Sequence, residues 1–245
     1  MKQALLFLTI GVIAFGTMVL AQAPTAPKAA PTTTPKAAPT TATKTPAKAA
    51  AKGPNLLDPS TMKASAPAVY VVRLDTTKGA IEIRVTKAWA PLGADRFYNL
   101  VRAGFFTDAA FFRTMKGFMA QFGIPARPEV NKVWENQNLK DEPALQSNKR
   151  GFVTFAQADQ PNTRSTQIFI GMRDNSYLDA DHFAPFGEVI VGMDVVDMLY
   201  SGYGSVDSMH PGIETQGKAY LDKNFPRLDR ILKASIVPPA APAAK

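Results

Sequence analysis

A chain of 245 residues without cysteine can hold one domain of ordinary size with its own core, and it excludes disulfides, cysteine nucleophiles and thiolate metal sites. Its net charge of +8 suggests a polyanion partner, but the excess lies in the wrong place for one. Residues 1–65 carry seven lysines against a single acid, Asp58, while the other 180 carry 21 basic and 19 acidic groups, so the folding part is nearly neutral and a nucleic-acid partner is excluded.

The first 23 residues, "MKQALLFLTIGVIAFGTMVLAQA", place Lys2 before an apolar run to Ala21, with small residues at Ala21 and Ala23 in cleavage-site spacing. Residues 1–23 read as a secretory signal peptide, with an uncleaved membrane anchor as the alternative. A lipoprotein anchor would need a cysteine. Next comes Ala, Pro, Thr and Lys almost without exception, with no large apolar residue between Pro24 and Pro54. Such a tract cannot bury enough surface to offset the entropy of ordering, and its prolines favour extended polyproline II. A disordered, semi-rigid linker is expected over 24–65, a folded domain over 66–237 and a disordered tail over 238–245. The linker would hold the domain away from a membrane or wall.

"AVYVVRLDTTKGAIEIRV" predicts a hairpin. Tyr70, Val72 and Leu74 alternate with Val69, Val71 and Arg73, and after the turn Ile81, Ile83 and Val85 alternate with Glu82 and Arg84. "APLGADRFYNLVRAG" predicts a helix that begins at Pro91, carries Leu92, Phe97, Leu100 and Val101 as its apolar stripe, and stops at Gly104. "FFRTMKGFMAQFG", Phe111 to Gly123, predicts two short strands broken near Gly117. From Pro125 to Arg150 a long polar loop is expected. "GFVTFAQA", "STQIFIGM" and "HFAPFGEVIVG" read as strands and "MDVVDMLYSG" as a short helix. "RILKASIV" reads as a strand able to pair with the first hairpin. Many short strands and two helices indicate a β-barrel or sandwich.

Few residues are suited to covalent or metal chemistry. The histidines are His182 and His210, no G-x-S-x-G elbow is present, and no glycine-rich phosphate loop occurs. Asp174, Asp179, Asp181 and His182 follow no calcium-loop spacing and read as a solvated acidic turn, so no metal is expected. Arg113 and Gln121 stand out among apolar neighbours. If the two short strands pair, Arg113, Met115, Met119 and Gln121 share one side. A half-buried guanidinium needs acceptors, and the Gln121 carbonyl is one. The competing reading is a surface arginine resting on its aliphatic stem.

Three blocks carry a family resemblance. "FFRTMKGFMAQFG" holds F-x-R, G-F-M and Q-x-G in order; "GFVTFAQADQPNTRSTQIFI" leads through P-N-T to a Q-x-F-I strand; "YLDADHFAPFGEVIVGMDVV" holds Y-L-D, a histidine and F-G-x-V. Together they resemble the cyclophilins, peptidyl-prolyl cis-trans isomerases, over about residues 68–236. The resemblance implies a closed eight-stranded antiparallel β-barrel capped by two helices. It implies Arg113 as the catalytic arginine with Gln121 as its holder. Phe118, Met119, Phe169 and Leu178 would wall a proline pocket, with Tyr177 and His182 at its edge. Gln167 and the main chain at Ala156 and Gln157 would hold the substrate chain. This chain departs from the family pattern at Gln157 (usually Asn), at the extra residue within Asp159–Gln160, at Thr166 (usually Ser) and at Tyr177. Many members that bind cyclosporin well have Trp at that last position, so weak cyclosporin binding is expected. The expected protein is a monomeric isomerase of proline-containing polypeptides, without cofactor, exported to the periplasm or cell envelope to assist folding there. The alternatives are a non-catalytic proline-peptide binder and an envelope scaffold protein.

Overall fold

The computed structural model describes residues 54–204 and 209–238. The first hairpin pairs β1 (Val69–Thr76) with β2 (Gly79–Thr86), in the register Val72 opposite Ile83 and Leu74 opposite Ile81. Its alternation sends Val72, Leu74, Ile81, Ile83 and Val85 fully inward while Arg73 and Arg84 face water. Helix α1 (Pro91–Arg102) follows and packs Phe97, Leu100 and Val101 into the same core. Leu92, expected in that stripe, is 42% exposed, because it lies in the first turn, at the helix end.

Three short strands come next: β3 (Ala109–Ala110), β4 (Arg113–Met115) and β5 (Met119–Phe122). Helix α2 (Pro128–Trp134), strands β6 (Phe152–Phe155) and β7 (Ile168–Gly171), and a 3-10 turn over Ser176–Asp181 lead to β8 (Pro185–Val191). Helices α3 (Met193–Met198), α4 (Met209–Gln216) and α5 (Lys218–Asn224) precede the last strand, β9 (Arg230–Val237). All strand pairs are antiparallel, in the order β3-β9-β1-β2-β8-β6-β7-β5-β4. The two ends of this order, β3 and β4, are separated in the chain only by Phe111 and Phe112. The sheet therefore curls back towards its own start, as a half-barrel of nine strands rather than the closed eight-stranded barrel expected.

The barrel interior is filled by aromatic and branched side chains. Phe97, Phe106, Phe122, Phe155 and Phe186 are fully buried, and Phe97 and Phe186 meet with centroids 5.2 Å apart. In β5 and β7 the inward residues Ala120, Phe122, Ile168 and Ile170 belong to this core. Their neighbours Met119, Gln121 and Phe169 are also buried, although they face the other way. A strand buried on both faces has something covering its outer side, and that cover marks the site.

Three expectations are corrected. The linker does not extend to residue 65. Leu56 and Met62 are buried in the core, Trp134 Nε1 donates to the Leu56 carbonyl at 2.7 Å, and Asn99 exchanges hydrogen bonds with the main chain of Ala64. Two large apolar residues and buried polar partners bind this segment to the domain, which therefore already includes Leu56. Second, the 125–150 stretch is not only loop, since α2 buries Val130 and Trp134 within it. Third, the helices number five among the described residues rather than two. Helices α4 and α5 form a pair whose Ile213 and Leu221 join Phe112, Ile124 and Leu228 in a separate apolar cluster. The predicted signal peptide (1–23), the proline-rich tract up to residue 53 and all of the tail beyond Pro238 lie outside the described residues. No described helix is long and apolar enough to cross a membrane.

Candidate active site

The outer face of β4, β5 and β7 carries the polar residues that the sequence singles out. Arg113 stands opposite Gln121, and Gln121 opposite Phe169, so these three form one row across three strands. Met115 opposite Met119 forms the next row. Directly opposed residues on antiparallel strands share a face, so the shared side expected for Arg113, Met115, Met119 and Gln121 follows from this register. Gly117, with φ at +72°, supplies the left-handed residue that the tight turn between β4 and β5 needs, and Phe118 N–H closes the turn on the Met115 carbonyl at 2.9 Å.

The hydrogen bonds fix how Gln121 is oriented. Arg113 Nη1 donates to Gln121 Oε1 at 3.3 Å, and Gln121 Nε2 donates to Gln167 Oε1 at 2.8 Å. A guanidinium has no acceptor, so Gln121 must turn its oxygen to Arg113 and its amide nitrogen to Gln167. Gln121 is buried and Arg113 half-buried. The Arg113 guanidinium carbon also lies 6.0 Å from the centre of the Phe118 ring. The cation is thus held at one wall of a hollow of about 130 Å³, and Phe118, Met119, Phe169, Leu178 and Phe183 supply the apolar walls. Gln121, Ala156 and Gln157 complete the lining, and Arg113 is its one ionisable residue.

Close packing of main chain holds the row together. Gly123 has φ at +109°, and a Cβ there would sit 2.3 Å from the Thr166 carbonyl oxygen and 2.8 Å from Gln167 Cα. The third residue of Q-x-G is therefore glycine because β5 must approach the strand that delivers Gln167. Ala156 N–H donates to the Gln167 carbonyl at 2.9 Å, and Gln157 Nε2 donates to the Asp181 carbonyl at 2.7 Å. The main-chain N–H and carbonyl of Gln157 have no partner among the described residues.

Two residues expected at the pocket edge are placed outside its lining. The 3-10 turn over 176–181 has three residues per turn and directs Leu178 into the hollow. Tyr177 then points outward, 58% exposed, and stacks on Phe118 at 6.5 Å. His182 ends that turn in a left-handed conformation, φ +61°, and faces a neighbouring hollow together with Asp181 and Gln160. The pocket wall is instead Phe183, whose ring lies 5.9 Å from Phe169 in an edge contact. The sequence offered a signal for it in a large aromatic next to the histidine of the third block.

The supports of the site are polar residues far apart in the chain. Asn175 is fully buried, and its Nδ2 holds the Phe118 carbonyl at 2.9 Å. Asp179 accepts from Ser147 Oγ, Asn148 N–H and Asn148 Nδ2 at 2.5, 2.9 and 2.8 Å, which ties the 176–181 turn to the 147–148 segment. Burial is the largest influence on the Asp179 carboxyl and pushes its pKa up, but the hydrogen bonds from Ser147 and Asn148 together hold it below the usual value. Further out, Glu142 accepts from the N–H groups of Leu92 and Gly93 at 2.6 and 3.1 Å, at the start of α1. Arg164, fully buried, donates to the same carboxylate at 3.0 Å and also to the Lys140 carbonyl. Among the described residues no group of three or more His, Asp or Glu is placed to hold a metal.

Comparison with known proteins places the chain in a family. Residues 71–215 match the model of the cyclophilin type peptidyl-prolyl cis-trans isomerase family. A peptidyl-prolyl cis-trans isomerase of Acinetobacter baylyi is 31% identical over 159 residues, which cover 63% of this chain and 85% of that protein. Peptidyl-prolyl cis-trans isomerase B of Escherichia coli is 27% identical over 175 residues, or 68% of this chain and 99% of that one. A crystal structure of a cyclophilin type isomerase from Cryptosporidium parvum shares the fold, with a TM-score of 0.53 at 20% identity, covering 70% of this chain and 99% of that one. On the family match and these relatives, the chain belongs to the cyclophilin-type peptidyl-prolyl cis-trans isomerases and is an enzyme of that class.

Proposed function

We propose that the enzyme turns X–Pro bonds of exported polypeptides in the pocket beside Arg113, with the guanidinium as the catalytic group. Rotation about an X–Pro bond is resisted by amide resonance, with a barrier of ~18–20 kcal/mol. Twisting removes that resonance and leaves a lone pair on the prolyl nitrogen. A cation aimed at that nitrogen stabilises the twisted state more than either planar one, which is what lowers a barrier. No bond breaks and no proton need move. The apolar walls Phe118, Met119, Phe169, Leu178 and Phe183 suit a pyrrolidine ring and exclude water, which strengthens the electrostatic interaction.

The observation that carries this reading is the bond from Arg113 to the buried Gln121 at the mouth of an apolar hollow. Gln121 and Gln167 orient the cation, and such pre-orientation avoids a reorganisation cost in the twisted state. The unpaired main-chain N–H and carbonyl of Gln157 suit an extended substrate strand laid alongside. In this reading Tyr177 and His182 lie outside the proline seat, since neither lines the pocket.

The leader-like residues 1–23 and the lysine-proline tract that follows support a place outside the cytoplasm, in the periplasm or envelope, with the isomerase acting as a monomer on exported clients. Uncatalysed proline steps last tens of seconds, long enough to limit folding there. The test is cis/trans exchange on an Ala-Pro peptide followed by NMR. Arg113→Ala should lower the catalysed rate by on the order of 10²-fold or more, the usual loss when one charge-stabilising donor is removed. Equal rates for wild type and Arg113→Ala would end the arginine mechanism. Fusion of residues 1–30 to a reporter, fractionated by compartment, tests export.

A further inference from the structure

Two arginines that take no part in the reaction converge on the segment that delivers Gln167. Arg164 is fully buried and anchored on Glu142 and the Lys140 carbonyl. One residue further on, the Ser165 carbonyl accepts from Arg96 Nη1 at 2.9 Å, and the same nitrogen donates to the Gln137 carbonyl at 2.6 Å. Arg96 stands on α1, half-buried, with its guanidinium carbon 5.1 Å from the centre of the Trp134 ring. Ser165 Oγ in turn donates to the Trp134 carbonyl at 2.8 Å. One guanidinium thus joins α1, the end of α2 and the approach to β7.

This cation is a poor source of stability. Its hydrogen-bond partners are carbonyls, and it pairs with no carboxylate among the described residues. Burial, and after it the neighbouring Arg164 charge, pull its pKa down to about 10, so at neutral pH it is charged in an environment that disfavours the charge. What it supplies is geometry, because a planar guanidinium fixes its two carbonyls relative to each other. Little slack separates Ser165 from Gln167. The Thr166 carbonyl oxygen lies where a Cβ on Gly123 would come within 2.3 Å, and the Gln167 carbonyl accepts from Ala156 N–H at 2.9 Å. Gln167 Oε1 holds Gln121 Nε2, and Gln121 Oε1 faces Arg113. A shift at Ser165 therefore reaches the Arg113 guanidinium through Gln167 and Gln121.

We propose that Arg96 is a positioning residue of the isomerase: its grip on the Ser165 carbonyl sets where Gln167 sits and, through Gln121, the aim of the Arg113 cation. The role rests on Arg113 being the catalytic group.

The test is kinetics and NMR on the full chain with an Ala-Pro peptide. Arg96→Met keeps an aliphatic stem against Trp134 and removes the donors. A misplacement of ~1 Å can cost about 100-fold in rate, so a partial slip should lower kcat by about tenfold. KM should stay within about twofold, because the apolar seat is untouched. In Gln167→Ala the route is already cut, and adding Arg96→Met should change kcat by less than about twofold. The side-chain amide signal of Gln121 should move in Arg96→Met toward its position in Gln167→Ala. Three results overturn the inference: a kcat within about twofold of wild type, the full loss recurring in the Gln167→Ala background, or a Gln121 signal that stays in place. Should Arg96→Met not fold, Arg96→Lys keeps the charge and can reach one carbonyl. It should show part of the Gln121 shift and an intermediate kcat, and wild-type values for both overturn the role. Equal kcat for wild type and Arg113→Ala would instead end the arginine mechanism. The Gln121 signal then decides by itself whether Arg96 sets the place of Gln167.

Discussion

Removing the Glu142 side chain should be among the most damaging single changes outside the pocket, because one carboxylate there performs two tasks. It accepts from the Leu92 and Gly93 N–H groups at the start of α1, a helix whose own N-cap residue, Ala90, offers no side-chain acceptor. It also pairs with Arg164, whose side chain is fully buried. In Glu142→Ala the guanidinium keeps only the Lys140 carbonyl and Asp141, whose Oδ1 lies 3.9 Å from Nε. Breaking one side of a buried ion pair costs ~3–5 kcal/mol, and each lost hydrogen bond to the charge about 1.5–3, partly recovered from water at the exposed Leu92. These losses overlap, so the expected net is about 4 kcal/mol. For a domain of this size ~1 kcal/mol moves the midpoint by about 2–4 °C, so Tm should fall by roughly 8–16 °C. Thermal unfolding by circular dichroism, with urea midpoints alongside, measures it. The double variant Glu142→Ala/Arg164→Met should recover much of the loss, since an apolar replacement removes the stranded charge. A single-variant Tm within about 2 °C of wild type, or losses that simply add in the double variant, would refute the two-task account.

Other substitutions probe the same frame. Gly123→Ala should cost more than about 2 kcal/mol in urea unfolding and slow isomerisation, since its Cβ would sit 2.3 Å from the Thr166 carbonyl oxygen, where only main chain can yield. Asp179→Asn should flatten the acid limb of stability. The folded carboxyl lies below its unfolded value, so its contribution is complete above the unfolded pKa, about 4, and is lost as pH falls through the folded one. Urea midpoints from pH 7 to 3 compare the two proteins, and parallel curves would count against the Ser147 and Asn148 bonds. Isomerisation itself should vary little from pH 6 to 8, because Arg113 is the ionisable residue of the pocket lining and an arginine stays charged there. A rate change across that range that disappears in His182→Gln would assign His182 a part it lacks in this geometry.

Much of the barrel was legible because its signals are local. The hairpin of β1 and β2 alternates with period two, and one buried face enforces that alternation, so Val72, Leu74, Ile81 and Ile83 could be placed from the sequence. The pairing of Arg113 with Gln121 was legible for a related reason: a glycine turn at Gly117 and strand parity together leave little freedom of register. The start of the domain was misplaced because composition alone draws the boundary of a proline-rich tract. Leu56 and Met62 were the signal that folding had resumed by then. Helix α2 was hidden by its length of seven residues and by the absence of a side-chain cap.

What escaped the sequence is distant pairing, and it also decides the pocket's shape. Nothing near Pro91 says that the cap of α1 comes from Glu142, nor that Arg164 must then be buried to meet it. The exchange of His182 for Phe183 at the pocket wall follows from the same kind of cause. The three-residue rise of the 176–181 turn sends Leu178 inward and Tyr177 out, and its left-handed end then turns His182 aside. That turn keeps its place because Asp179 is tied to Ser147 and Asn148, some thirty residues away, and Asn175 to Phe118. A local motif can therefore name the cation and most of the apolar seat, while residues remote in the chain determine which neighbour completes the wall. The pair of α4 and α5 extends the same logic beyond the pocket. It lies after the third block and packs back on Ile124 and Ala126, and in doing so brings Glu214 to the hollow beside the proline pocket.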